Sequence, residues 1–289
     1  IYFGTLSARF FERRPAMGKE AVHNGTFFAN TAEAVQLTMR VMESSVGSAD
    51  AAYLFAHTPA NMWPVILKGN EIYRNNGVKK LVILGLAKKK MRTEPDGKMA
   101  PDYGTPAMAD SDLAEEKPII IHSGCRDWKE RLCFYGVKEE DIVISELADP
   151  VYTGPAYNTH TEAVGFVQMA KVRGWRYLLV VSPDWHIMRA TAEVVTAALN
   201  YYPEVEIFTG RGGIFEGDWD GKATLQSQSD AKPKPRMDSL ADEIAKMDTY
   251  YRQGDSDLRC AREILEYFKM RDQRCREAWK KRLDYLAMD

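Results

Sequence analysis

Apolar residues along this chain fall into two patterns, and between residues 50 and 210 the patterns alternate. The first is a short apolar run: Asp50–Ala56 (DAAYLFA), Lys80–Gly85 (KLVILG), Asp141–Glu146 (DIVISE) and Tyr177–Val181 (YLLVV), with a last strand at Val205–Thr209 (VEIFT) reached through Pro203. A run without polar alternation is how a strand buried on both faces reads. The second is a stripe at three–four spacing, the mark of a helix with one buried side. Thr31 reads as an N-cap, with Val35, Met39 and Met42 following at helical spacing toward Gly47. Val65, Ile66, Ile72 and Tyr73 give the buried side of a helix after Pro59, with Gly77 expected at its C′ position in the left-handed conformation. Cys125–Tyr135 has amphipathic period and is closed by Gly136. A further helix runs from Asn158-Thr159 to Gly174, and another starts at His186.

Strand–helix alternation of this kind predicts an α/β fold: a doubly wound, mostly parallel sheet with right-handed crossovers. The segments around it divide the chain further. Residues 1–49 form an arm and a helix, and residues 50–210 the α/β domain. Residues 87–117 are a polar insertion, far longer than a usual connection. Pro118–His122 reads as a short strand or an extended connector. Residues 211–236, rich in Gly, Asp, Ser, Lys and Pro, read as a linker, and residues 237–289 as a helical extension. Along that extension Leu258, Ala261, Leu265, Phe268, Cys275, Trp279 and Leu286 make a stripe interrupted by Asp272. Such a stripe docks on its own domain or, less often, pairs with a partner chain.

Composition narrows the function. The chain has 289 residues, 45% of them apolar, and a formal net charge of −2. That charge gives no global field to recruit nucleic acid, and no apolar run is long enough for a membrane span. Four scattered cysteines, none in a C-x-x-C pair, read as reduced thiols. They point to a reducing compartment, cytoplasmic or organellar, the mitochondrial matrix included. Ile1–Arg14 carries one acid, Glu12, among Phe, Arg and Ser; it reads as an arm, with a targeting remnant as the alternative.

The candidate chemistry sits where strands end. Ser182, Asp184, His186 and Arg189 cluster at one strand–helix junction, the edge where open α/β sheets bind ligands. A helix N-terminus offers N–H groups and an arginine offers a planar fork, so this junction suits an anion. His186 is suited to acid–base work near neutral pH. The structural alternative is a capped helix in which Ser182 or Asp184 bonds the backbone and Arg189 pairs with an acid. Asn158-Thr159-His160-Thr161-Glu162 is a second set, with capping as its alternative reading. His57-Thr58-Pro59 ends the first run, where His57 and Thr58 reach the same edge or His57 is a buried structural residue. G-x-G-x-x-G, the P-loop and G-x-S-x-G are all absent, which sets aside standard dinucleotide, P-loop and α/β-hydrolase readings. His57, His160, His186, Glu146 and Glu162 match no ligand spacing, so no metal site is expected.

Taken in order, Leu81–Gly85, Gly136-Val137, Ile142–Glu146, Asn158-Thr159-His160-Thr161-Glu162 and Ser182-Pro183-Asp184-Trp185-His186-Ile187-Met188-Arg189-Ala190 resemble the YdcF/SanA-like family, mostly bacterial domains of unknown function. The resemblance covers about residues 50–210 and implies a Rossmann-like sheet with its cleft at the strand ends. It carries Asn158, Thr159, Glu162, Ser182, His186 and Arg189 over as cleft residues. Members are linked to envelope or polyprenyl-phosphate metabolism, and one binds S-adenosylmethionine, which makes that molecule the cofactor the resemblance suggests. This chain departs from the pattern at His57-Thr58-Pro59, where members carry a Gly-containing turn, and at Lys68, where they carry arginine.

Two functions fit. In the first, a phosphorylated or nucleotide-like small molecule lies across the strand ends. His186 and Glu162 are then the catalytic candidates, and His57, Thr58, Asn158, Thr159, Ser182 and Arg189 the binding ones. The chemistry would be that of phosphate esters or S-adenosylmethionine. In the second, the chain is a non-catalytic scaffold in a larger, organellar assembly, joined to a protein partner through its C-terminal helices.

Overall fold

The computed structural model describes residues 25–43, 48–55, 59–75, 77–84, 90–93, 99–102, 124–145, 159–212, 222–224, 234–253 and 257–286. The arm up to residue 24, His57, Thr58, Pro118–His122, Glu146 and Asn158 lie outside them.

In chain order the elements are α1 (Thr31–Glu43), β1 (Ala49–Leu54), α2 (Pro59–Arg74), β2 (Val78–Leu84), β3 (Lys90–Thr93), β4 (Met99–Asp102), α3 (Gly124–Phe134) and β5 (Ile142–Ser145). They continue as α4 (Thr159–Arg173), β6 (Tyr177–Ser182), α5 (Ile187–Tyr201), β7 (Glu206–Arg211), β8 (Lys222–Thr224), β9 (Lys234–Pro235), α6 (Arg236–Gln253) and α7 (Ala261–Leu286). Five strands form one sheet in the order β5-β2-β1-β6-β7, with every pair parallel. The short apolar runs thus became the five parallel strands. Within the stretch expected as an insertion, β3 and β4 pair as an antiparallel ribbon, and β8 pairs with β9 within the expected linker.

The period of two in a strand explains why both faces are covered. Ala51, Tyr53, Val82, Leu178, Val180 and Ile207 point to one face, into a core shared with α1, α4, α5, α6 and α7. Leu54, Leu81, Ile83, Leu179, Val181 and Phe208 point to the other, against α2 and α3. The sheet is therefore doubly wound. Helix α5 is buried along most of its length, because α1, α4, α6 and α7 surround it above the sheet.

Three local expectations are corrected. The N-cap of α1 is Asn30, not Thr31: Asn30 Oδ1 accepts the Glu33 N–H at 3.0 Å, and Glu33 Oε2 accepts the Ala29 N–H at 2.9 Å. The buried stripe of α1 is Leu37 and Val41, while Val35 and Met39 are exposed, because α7 and α5 grip the helix from its Leu37 side. Gly77 is not left-handed; that conformation belongs to Gly136 (φ 93°) and Gly174 (φ 67°), which end α3 and α4. Gly77 N instead donates to Ile72 O at 2.8 Å, a bond that reaches back five residues into the last turn of α2.

The C-terminal helices share the core of the sheet. Met247 of α6, Leu258, and Ala261, Ile264, Tyr267 and Phe268 of α7 are buried in it. Part of the expected stripe is thus displaced: Tyr267 and Arg271 are on the buried side of α7, and Trp279 is 60% exposed. The reason is that α7 meets the sheet through polar groups at the ends of apolar bodies. Tyr267 Oη accepts the Ile207 N–H at 2.8 Å and donates to Val205 O at 2.8 Å. Arg271 Nη1 donates to Ile207 O at 2.6 Å, with its guanidinium against the Phe208 and Phe268 rings. Burial pulls the Arg271 pKa down to about 10. Arg274 grips Glu206 through two bonds of 2.7 and 2.9 Å.

If α7 belongs to the fold and is not an appendage, Tyr267→Phe should cost about 1–3 kcal/mol, since it strands a buried N–H and a buried carbonyl. Urea unfolding followed by circular dichroism should show one transition, shifted to lower denaturant. An unchanged midpoint would contradict this docking.

Candidate functional site

Strand β6 ends at Ser182, and the chain turns through Pro183-Asp184-Trp185 into α5. The turn is closed by the His186 and Ile187 N–H groups, both bonded to Pro183 O at 2.9 Å. Asp184 leaves the junction sideways: Arg211, at the end of β7, donates to it through Nε at 3.1 Å and Nη2 at 2.7 Å. Ser182 is fully buried, and its carbonyl accepts the Gly212 N–H at 2.8 Å. These bonds fix the strand end and leave His186 at the N-cap position without a capping bond from its side chain.

The imidazole of His186 turns instead toward α4 and α6. Its Nδ1 lies 2.5 Å from Glu243 Oε2, and its Nε2 lies 3.4 Å from Thr159 Oγ1. Arg189, one turn along α5, donates through Nε to the same Glu243 oxygen and through Nη2 to Oε1 at 3.3 Å. Its Nη1 donates to Thr159 Oγ1 at 2.8 Å. Lys246, one turn beyond Glu243, donates to Oε1 at 3.0 Å. Four elements meet in this cluster: α4 supplies Thr159, α5 supplies Arg189 and, at its N-cap, His186, α6 supplies Glu243 and Lys246, and Phe55 just past β1 places its ring edge-on to His186 at 6.4 Å. The structure thus brings Thr159, His186 and Arg189 into one bonded group. Asp184, at the same junction, goes to Arg211 instead.

The remaining candidates lie around this group. Glu162 is buried beside Tyr53 of β1, whose phenol is pushed well above its ordinary range by burial and by the Glu162 charge. His160 Nδ1 lies 3.0 Å from Glu193 Oε2. Among the described residues no group of three or more His, Cys, Asp or Glu is arranged to hold a metal ion. No described helix is long and apolar enough to cross a membrane. A groove of about 750 Å³ lies elsewhere, along the C-terminal half of α4, lined by Ile144, Gln168, Met169, Val172 and Tyr201.

Charge in the cluster follows from burial and partners. Burial alone would raise the Glu243 pKa, but Arg189, His186 and Lys246 outweigh it and hold the carboxyl well below its ordinary value. Burial lowers the His186 pKa, helped by Arg189 and Lys246 and opposed by Glu243, so the imidazole is neutral. The cluster therefore holds a carboxylate, a guanidinium and a neutral imidazole.

Sequence reasoning missed Glu243. It stands 57 residues from His186, on the expected extension. The one signal in the sequence was spacing: Ser239, Glu243 and Met247 fall four apart on one helix face. The structure buries all three to at most 1% exposure, and an acid on a buried face needs a cation opposite.

Comparison of the chain with protein-family models, with curated proteins and with solved structures found no match.

Two outcomes follow from this electrostatics. Glu243→Gln leaves Arg189 buried without its charge partner and should destabilise the fold by about 3–5 kcal/mol, read from urea unfolding. Stability should also fall as pH drops below the ordinary histidine value of 6.5, because the unfolded chain then binds a proton that the folded His186 refuses. It should fall again below the ordinary glutamate value of 4.5, through the lowered Glu243. Unfolding midpoints measured from about pH 8 to about pH 5 should slope downward, and the slope should shrink in His186→Gln.

Proposed function

We propose that this chain is a small-molecule-binding protein of the YdcF/SanA-like type. Its ligand is phosphorylated or nucleotide-like and lies at the carboxyl ends of β1 and β6. The observation that carries the reading is the strand order. From β1 the chain winds outward to β2 and β5, then returns to β6 and winds outward to β7, so β1 and β6 flank the point where the order reverses. Ligands of open α/β sheets lie in the crevice outside the strand ends at that point. The His186–Arg189–Thr159 cluster stands beside it, with the Phe55 ring of the β1 side against the imidazole. Chemistry on phosphate esters or with S-adenosylmethionine enters through the resemblance, as does the role of Asn158, Ser182 and Glu162 as cleft residues.

A second reading, the non-catalytic scaffold, is favoured by one observation: the Arg189 fork is already taken up by Glu243 of the same chain. In that reading the cluster is a fastening for α6, and a partner docks on the C-terminal helices, where Trp279 is exposed.

Thermal-shift measurements with nucleotides, S-adenosylmethionine, sugar phosphates, polyprenyl-phosphate analogues and divalent metals separate the two. A bound ligand at a hundredfold excess over Kd adds about 2.7 kcal/mol of stability, or a rise of several degrees for a chain of this size. The rise should be absent in the paired replacement Arg189→Leu with Glu243→Leu, which removes both buried charges together and so avoids stranding either. No shift with any phosphorylated ligand, or a shift that persists in the double variant, would overturn the first reading.

A further inference from the structure

We propose that Thr159, His186 and Glu243 form a hydroxyl–imidazole–carboxylate relay, in which Thr159 Oγ1 is a nucleophile toward a phosphoester, His186 its general base and Glu243 the positioning residue of that base. The inference rests on the reading of the strand ends as the site for a phosphorylated ligand, and it adds the reacting groups.

The argument is one of direction. A guanidinium has only donors, and a carboxylate only acceptors. Nδ1 of His186 faces the Glu243 carboxylate at 2.5 Å, so Nδ1 carries the ring proton. A neutral imidazole then has a bare Nε2, which faces Thr159 Oγ1 at 3.4 Å. Arg189 Nη1 donates to the same hydroxyl oxygen at 2.8 Å, so the hydroxyl proton is left to point at Nε2. Arg189 Nε closes the ring on the Glu243 oxygen that holds His186. Arg189 Nη2 also lies 3.4 Å from Nδ1, but the carboxylate oxygen at 2.5 Å is much nearer and takes the ring proton. The remaining bonds agree on one protonation state, and it is the state a base needs. Acid, imidazole and hydroxyl in this order recur on unrelated folds as the arrangement that activates a hydroxyl. The 3.4 Å separation is of the looser kind that sites without substrate show. Two features of the surroundings favour the charge that would develop. Arg189 donates to the oxygen that becomes an alkoxide, and Thr159 opens the 15-residue helix α4, whose first N–H groups face its N-terminus.

In the reaction, Thr159 Oγ1 attacks phosphorus: a P–O bond to threonine forms and the bond to the leaving alcohol breaks. The threonine proton passes to His186 Nε2 and on to the departing alkoxide. Water then attacks the phosphothreonine, gives its proton to His186, and His186 returns it to Thr159 as phosphate leaves. A purely structural network has the same bonds and none of this reactivity.

The test is covalent labelling of the full chain with diisopropyl fluorophosphate. Its P–F bond is replaced by a P–O bond to the hydroxyl, fluoride leaves, and the proton goes to His186. Intact-mass and peptide mass spectrometry should find one adduct, on Thr159. Thr159→Ser should also label and Thr159→Val should not. Glu243→Gln should label at least about tenfold more slowly, the order of one proton-transfer contribution, and Glu243→Asp should recover part of the rate. Because Glu243→Gln is expected to weaken the fold, nitrogen-15 NMR of wild-type imidazole gives a reading free of variants: His186 should be the Nδ1–H tautomer near neutral pH. No adduct on Thr159, full-rate labelling of folded Glu243→Gln, or an Nε2–H tautomer would each overturn the relay. Labelling without any thermal shift from phosphorylated ligands would keep the relay and refute the ligand class. A shift without labelling would keep the ligand and refute the relay.

Discussion

Burying the Glu243 carboxylate is the constraint to which the surrounding structure answers. An ion removed from water costs several kcal/mol unless its partners stand in fixed places. Here the partners come from α5 and from α6 itself, and they also engage α4 through Thr159. A shift of α6 by one residue would turn Glu243 off the buried stripe and leave Arg189 facing apolar surface. The pairing thus fixes the register and rotation of α6 more sharply than its apolar contact does, since Met247 is the large apolar side chain buried in the same stripe. Removal of one charge and removal of both are therefore different experiments with different expected signs.

The sheet supplies the platform on which this is possible. With helices α2 and α3 on one face and α4 and α5 on the other, the two crossing layers meet the strand ends at the place where the order reverses. Phe55 and Ser182 emerge from neighbouring strands there, tied by the Phe55 N–H to Val181 O bond at 3.0 Å. The polar cluster rests on this frame, so its precision comes from strands and helices and not from loop geometry alone.

What was legible in the sequence was what is local. Short apolar runs marked the five parallel strands, even where Glu206 interrupts the last of them, and the breaks after them marked the edge where chemistry collects. Ser182-Pro183-Asp184 was readable as a junction because proline and a short polar residue stop a strand in any context. The partner of each polar side chain was not readable, because partners are set by tertiary distance. Asp184 pairs with Arg211, 27 residues on, and His186 with Glu243, 57 residues on. The α1 stripe was misjudged for a related reason: Val35 and Leu37 are equally apolar, and only the position of α7 decides which of them is covered. On α7 the polar ends of Tyr267 and Arg271 hid two buried positions from a pattern built on apolarity.

Those two side chains have a consequence for how the molecule meets others of its kind. Strand β7 is the last in the sheet, and a last strand carries a row of backbone groups with no neighbour, a template for another sheet to join. Its pairing with β6 uses Glu206 N, and leaves the backbone N–H and carbonyl of Ile207 on the outer side while its side chain stays in the core. Both backbone groups of Ile207 are taken, the N–H by Tyr267 and the carbonyl by Arg271, and Tyr267 also takes the carbonyl of Val205. A helix has no free backbone to lend as a sixth strand, so α7 lends side chains spaced one turn apart. At Val205, just before β7, and at Ile207 the outer backbone is thus occupied by a helix imitating a strand.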